Sequence, residues 1–259
     1  MKYAMLAVEG TTDQAVVGRT LKLLNFKRFG GQSERLDALW NSIVPTYPPQ
    51  KGNLYDRLAM PSIFANASQS LAIYQGNGSD LIKKVSALLT NHDLHEKLDA
   101  FGVIADADNH APSTVATKYQ QGFSALFPRI PATPGQVSQD HPKTGIFVFP
   151  DNSSKGVVEH LLIECGDVVY GPLLKRARAY VDGFSVDARK AENWTPFAPE
   201  KALIAAVASL LKPGSTNTVT IADNLWISDQ TKDQAMLASL IGFLRTLLRE
   251  TNDPISETT

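Results

Sequence analysis

Apolar positions along the first 165 residues alternate between two rhythms. Short unbroken runs, Ala4–Val8, Leu71–Tyr74, Phe101–Ala105 and Gly145–Phe149, predict strands. Runs that are apolar at every position suit strands covered on both faces, as in a parallel sheet. Between them the spacing turns helical. Val16, Val17, Thr20, Leu21 and Leu24 share one stripe, as do Leu81, Ile82, Val85, Leu88 and Leu89, and then Val115, Tyr119, Phe123 and Leu126. Thr11-x-x-Gln14 reads as a capping box for the first helix, and Ser79 and Ser113 as N-caps for the next two. Val157 to Cys165 predicts one more helix. Strand alternating with helix predicts an α/β domain with a mainly parallel sheet flanked by helices.

Two stretches break the alternation. Residues 25–70 hold Pro45, Pro48, Pro49 and Pro61 with several aromatics, and are too apolar to be disordered. They are expected to form an ordered insertion packed as a small subdomain or rim over one sheet edge, with Trp40, Tyr47, Tyr55 and Phe64 in its core. Pro128 to Thr144 reads as a loop. Beyond Gly171 the pattern is helical, over Pro172–Val181, Pro199–Leu211 and Gln230–Arg249. The expected organisation is an α/β domain over 1–170 with its insertion at 25–70. A helical extension over 171–252 would pack on the same domain, followed by a flexible tail at 253–259.

Composition changes this picture little. A formal charge of −1 gives no overall field to attract nucleic acid or a membrane surface, but allows a local basic patch. Lys175, Arg176 and Arg178, with Tyr180 beside them, form such a cluster, read either as a solvated helix face or as a contact to a nucleic-acid backbone. Cys165 is the single cysteine, so there is no disulfide framework and a reducing compartment is expected. The N-terminus lacks the regions of a secretory signal, and no apolar run approaches the roughly 20 residues of a spanning helix. The expectation is a cytoplasmic protein without membrane contact.

The chemistry gathers at strand ends. Carboxylates cannot lie along a strand buried on both faces, so Glu9, Asp106 and Asp108 must lie at the carboxyl ends of theirs, where open α/β sheets place ligands. In extended geometry Asp106 and Asp108 share a face, and two carboxylates there repel unless a cation or proton intervenes. Mg²⁺ uses one or two carboxylates and completes its shell with water and substrate phosphate. The alternative is that Asp106-Ala-Asp-Asn109 simply forms a turn. Glu9, directly after a strand and before a glycine, is poorly explained by turn chemistry, whereas Asp13 also reads as a favourable first-turn charge. The loop Asp151-Asn-Ser-Ser-Lys155 would face the same rim, with Asp151 as an outer ligand and Lys155 on phosphate; otherwise it is a solvated turn. His110 is a candidate substrate contact or an ordinary loop residue. Gly76-Asn-Gly78 reads as a tight strand-to-helix turn whose amides could bind phosphate.

Val8-Glu-Gly-Thr-Thr-Asp13 and Ile104-Ala-Asp-Ala-Asp108 resemble the two hallmark motifs of the Toprim superfamily shared by topoisomerases, primases and a class of nucleases. The Glu-Gly-x-x-acid form looks closest to small stand-alone Toprim proteins similar to the nuclease domain of the overcoming-lysogenization-defect family. The resemblance covers about residues 1–170 and implies a divalent-metal-dependent nuclease or related phosphodiester-transfer enzyme. It implies Mg²⁺ or Mn²⁺ on Asp106 and Asp108, and Glu9 as ligand or general acid/base. Asp13 would serve a second ion, Glu159 would be a further acid, and Lys201 would stabilise transition-state charge. Nucleic acid is the implied partner, with a second copy of the chain or a separate ATPase as further candidates. The chain departs from the family in its long 25–70 insertion. It has no Walker sequence and no room for a topoisomerase tyrosine domain or primase zinc module. A non-catalytic module that binds nucleic acid or nucleotide, or a subunit of a larger assembly, is the alternative.

Overall fold

The computed structural model describes residues 1–31, 35–44 and 60–248. Strand β1 (Lys2–Val8) leads into helix α1 (Thr11–Leu23), and short β2 (Lys27–Arg28) into α2 (Ala38–Asn41). Next come β3 (Ser62–Ala65), β4 (Gln69–Gln75), α3 (Leu81–Asn91), β5 (Ala100–Asp106), α4 (Pro112–Phe123) and β6 (Lys143–Phe149). The chain continues through α5 (Val158–Val169), α6 (Gly171–Asp182), α7 (Val186–Ala191), α8 (Ala198–Leu211), α9 (Asn217–Asp223) and α10 (Ala235–Leu248). All four predicted strands are present, two or three residues longer than their apolar runs.

The strands form one mixed sheet in the order β2-β3-β4-β1-β5-β6. β4, β1, β5 and β6 run parallel, so their carboxyl ends share one rim: Val8 lies beside Gln75 and Ile104, and Asp106 beside Phe149. β3 and β2 extend the β4 edge antiparallel. Part of the insertion is thus woven into the sheet. Its Trp40 is buried and donates its indole N–H to the Ser70 hydroxyl at 2.7 Å, and Phe64 is buried. Pro45, Tyr47, Pro48, Pro49, Tyr55, Arg249 and the 253–259 tail lie outside the described residues.

Alternation along the strands feeds two cores. Leu6, Val8, Ile104 and Phe147 face a layer of α1, α5, α8 and α10; Met5, Ala7, Phe101, Val103 and Ile146 face α3, α4 and Trp40. Each fully buried Val, Leu, Ile, Met or Phe side chain among them contributes roughly 1.5–3 kcal/mol. α10 lies so close under β5 and β6 that a Cβ at Gly102 would come within 2.7 Å of Leu247. A Cβ at Gly145 would meet Phe243 at 2.8 Å and the Gln136 carbonyl oxygen at 2.9 Å. The helices after residue 171 therefore help enclose the same core that β1 and α1 begin. Among the described residues no helix is long and apolar enough to cross a membrane.

Three helix starts differ from the sequence expectation. α1 is capped at Gly10, whose N–H donates to the Asp13 carboxylate at 2.7 Å, so Asp13 rather than Gln14 supplies the reciprocal bond. Gln14 instead donates to the Met60 and Ile73 carbonyls across to β3 and β4. Ser79 falls within a 3-10 turn ahead of α3. Ser113 is inside α4, which starts at Pro112 because proline is preorganised for the first helical position. Helices α7 and α9 carry no counterpart in the sequence expectation, and α10 starts at Ala235 rather than Gln230.

Candidate functional site

Four elements bring acids to the shared rim. Glu9 follows the last residue of β1, and Asp106 ends β5. Asp13 and Glu159 occupy the first turns of α1 and α5, where a negative charge suits the positive end of the helix. Glu9 turns toward α4: one oxygen lies 3.5 Å from the Asp106 amide nitrogen, and the other accepts the Tyr119 hydroxyl in a short hydrogen bond. Asp106 turns the other way, accepting the Val158 N–H at the start of α5 at 2.8 Å.

Burial makes this cluster electrostatically tense. Asp13 is 3% exposed and Glu159 6%. Removal from water, then the charges of Glu9 and Glu159, push the Asp13 carboxyl up to about 8, against the opposing Gly10 amide and the Lys201 ammonium. Asp106 is raised well above the usual carboxylate range, first by burial and then by Asp13, Glu159 and Glu9. Glu159 is raised chiefly by burial, with Lys201 and His160 pulling the other way. Its Oε2 is buried and has no hydrogen-bond partner. Tyr119 is raised by burial and by the Glu9 charge, so its proton stays on the phenol as donor.

Such a cluster calls for a cation or for protons. The donor set fits a hard divalent ion: all-oxygen, with one orphaned carboxylate oxygen on Glu159. As placed, no three His, Cys, Asp or Glu side chains among the described residues gather at metal-holding distance. Asp13 and Asp106 are instead partly satisfied by backbone amides.

Other expected residues fall differently. Asp108 does not continue the strand: its φ is +49°, and its backbone pairs with Gly156 at 2.8 and 3.0 Å. The shared face expected of Asp106 and Asp108 requires extended geometry, and the chain leaves it at Asp108. Asp108 is exposed, as are Lys155 and His110. Asp151 accepts from the amides and hydroxyls of Ser153 and Ser154. Those bonds outweigh its burial and hold it below the usual carboxylate range, so its oxygens serve its own loop. Lys201, though exposed, attracts both Asp13 and Glu159. In the 76–78 turn, the Gly76 and Gly78 amides donate to the Val8 and Glu9 carbonyls and are not available to phosphate.

Three neighbours of the site were not expected at it from the sequence. Tyr119 occupies a position of an apolar helical stripe, yet a buried tyrosine needs a partner for its hydroxyl, and that signal was present. Glu200, next to Lys201, buries an oxygen without a partner. His160 lies 4.0 Å from Glu200 and edge-on to Phe197.

An α/β protein with an acidic rim at the carboxyl ends of parallel strands is the class that fold and site define. The chain belongs to the family described as "Protein of unknown function (DUF3226)", which it matches over residues 3–249. Its fold is similar to the crystal structure of hypothetical protein PH0156 from Pyrococcus horikoshii OT3, with a TM-score of 0.53 at 15% identity over 95% of each chain. No curated protein matches it.

Proposed function

We propose that the protein is a Toprim-type, divalent-metal-dependent nuclease or related phosphodiester-transfer enzyme acting at the acidic rim with Mg²⁺ or Mn²⁺. The observation that carries this reading is that Glu9, Asp13, Asp106 and Glu159 reach one rim from four separate elements and raise the Asp13 and Asp106 carboxyls there, with one Glu159 oxygen buried and unpartnered. A bound divalent ion would stabilise charge on a scissile phosphate and make a bound water more acidic. Glu9 and Asp106 would hold it from the strand ends, with Asp13 and Glu159 as further ligands. Tyr119 fixes one Glu9 oxygen and so orients the other toward β5. Lys201 supplies the nearby positive charge that offsets developing negative charge on the substrate. Asp108, Lys155 and His110, all exposed, are the substrate-facing candidates.

A second reading is a non-catalytic module that binds nucleic acid or nucleotide. It is favoured by the amide bonds that Asp13 and Asp106 already accept and by the lack of a converged trio among the described residues. Incubating single-stranded DNA, duplex DNA and RNA with the protein and Mn²⁺ or Mg²⁺ separates the two. The enzyme reading expects cleavage that Asp106→Asn and Glu9→Gln abolish while nucleic-acid binding persists. Binding with no cleavage of any substrate by the wild type supports the module and ends the nuclease reading.

A further inference from the structure

The sheet extension creates a cleft that the acidic rim does not use. It has a volume of about 320 Å³ and lies between α1, the β2–β3 edge and α9, with Gln14, Arg19, Lys22, Arg28, Phe64 and Asp223 in its wall. We infer that this cleft binds the phosphate backbone of a single-stranded nucleic acid and leads it to the acidic rim. The inference deepens the nuclease reading and rests on it for the destination of the strand, though not for the binding itself.

Charge is the first argument. Arg19, Lys22 and Arg28 face one carboxylate, Asp223, and that group is already paired with Lys212 at 2.6 Å. Lys22 and Arg19 also attract Asp223, but among the described residues neither Lys22 nor Arg28 makes an ion-pair contact, and both are exposed. Arg19 donates its Nε to the Ile227 carbonyl at 3.0 Å. That bond orients the guanidinium and leaves its remaining donors free to meet an anion. The chain as a whole carries a charge of −1, so this surplus of cations is local.

Direction is the second. Thr11, Ala15, Gly18 and Lys22 recur at helical spacing and all line the cleft. The cleft therefore follows one face of α1 for about 16 Å at 1.5 Å per residue. Its upper end is the first turn of α1, the turn that carries Asp13. The third argument is size. The volume is near the lower bound of about 300 Å³ for small-ligand pockets, room for a nucleotide unit or two and not for a duplex. Phe64, the ring in the wall, is 2% exposed, so bases have no stacking platform there and binding should depend on phosphate rather than sequence.

Fluorescence anisotropy with labelled oligothymidylate and oligouridylate, and with a duplex of equal length, tests this in EDTA, where no cleavage can occur. The wild type is expected to bind single strands at low salt and to prefer them to the duplex. The double variant Lys22→Glu/Arg28→Glu should weaken binding at least about tenfold and lower the salt slope by about 1.4, the share of two phosphates. Lys232→Glu, an exposed lysine beyond α9, should leave binding unchanged. Unchanged affinity and slope in the double variant, tighter binding of the duplex, or no binding by the wild type would overturn the inference. Circular dichroism of the double variant guards against misfolding, and a misfolded variant is replaced by Lys22→Gln/Arg28→Gln under the same criteria. Groove-dependent binding without any cleavage would remove the nuclease reading and leave the groove standing.

Discussion

Asp13, Asp106 and Glu159 resist ionisation chiefly because each has left water, and neighbouring carboxylates add to the effect at Asp13 and Asp106. For Asp13 the consequence for folding has a definite sign. Its carboxyl titrates at about 8 in the folded chain, against an ordinary value of 3.8. As pH rises between those values the unfolded chain releases a proton that the folded chain keeps, so the group's stabilising share is present at low pH and lost toward pH 8. Asp13→Asn removes this titration and can still accept from Gly10. In metal-free buffer its melting temperature should gain on the wild type steadily from about pH 5 to about pH 8. A gap that stays constant with pH would contradict the account. Tyr119 gives a second residue-scale test. Tyr119→Phe deletes the donor to Glu9 and leaves the ring in place, at an expected cost of about 1.5–3 kcal/mol for a hydrogen bond to a charged group. Urea unfolding measures it, and a loss near zero would show that Glu9 is not held from α4.

At the scale of elements, the site depends on how tightly helices seat on the sheet. Gly145 packs under α10 against a backbone carbonyl that cannot swing away, whereas Gly102 meets only the ends of Leu247 and Leu6. Gly145→Ala should therefore destabilise by about 1–3 kcal/mol, and Gly102→Ala by less, as read from denaturation midpoints. The reverse order would mean that the Gln136 carbonyl is not fixed against Gly145 as described. The four parallel strands were legible because each is an unbroken apolar run between turn residues, the mark of a strand buried on both faces. β2 and β3 were not, since a two-residue strand and Ser62–Ala65 are too short to show a period. Helix starts were misread wherever a serine or threonine stood near the true cap. Gly10 and Pro112 won through backbone geometry, which a search for hydroxyl caps overlooks.

For the molecule as a whole, the sequence showed which acids stand at strand ends, and the parallel order of β1 and β5 explains why Glu9 and Asp106 become neighbours 97 residues apart. It left open whether Asp106 to Asn109 stays extended or turns, because a single left-handed residue carries no periodic signature, and the chain turns at Asp108. Nor did it show the partners supplied from other layers, Tyr119 and Glu200, whose roles exist only after helices pack. The basic cluster of α6 is divided in the same way: Arg178 pairs with Asp167, while Lys175 and Arg176 face outward. Metal-dependent chemistry at the rim requires its acids to share a cation. Crystals soaked in Mn²⁺ and measured for anomalous scattering test that directly. The expected result is a peak about 2 Å from oxygens of both Glu9 and Asp106, absent from Glu9→Gln crystals treated alike. Density nowhere among these carboxylates in a well-ordered soaked crystal would contradict it.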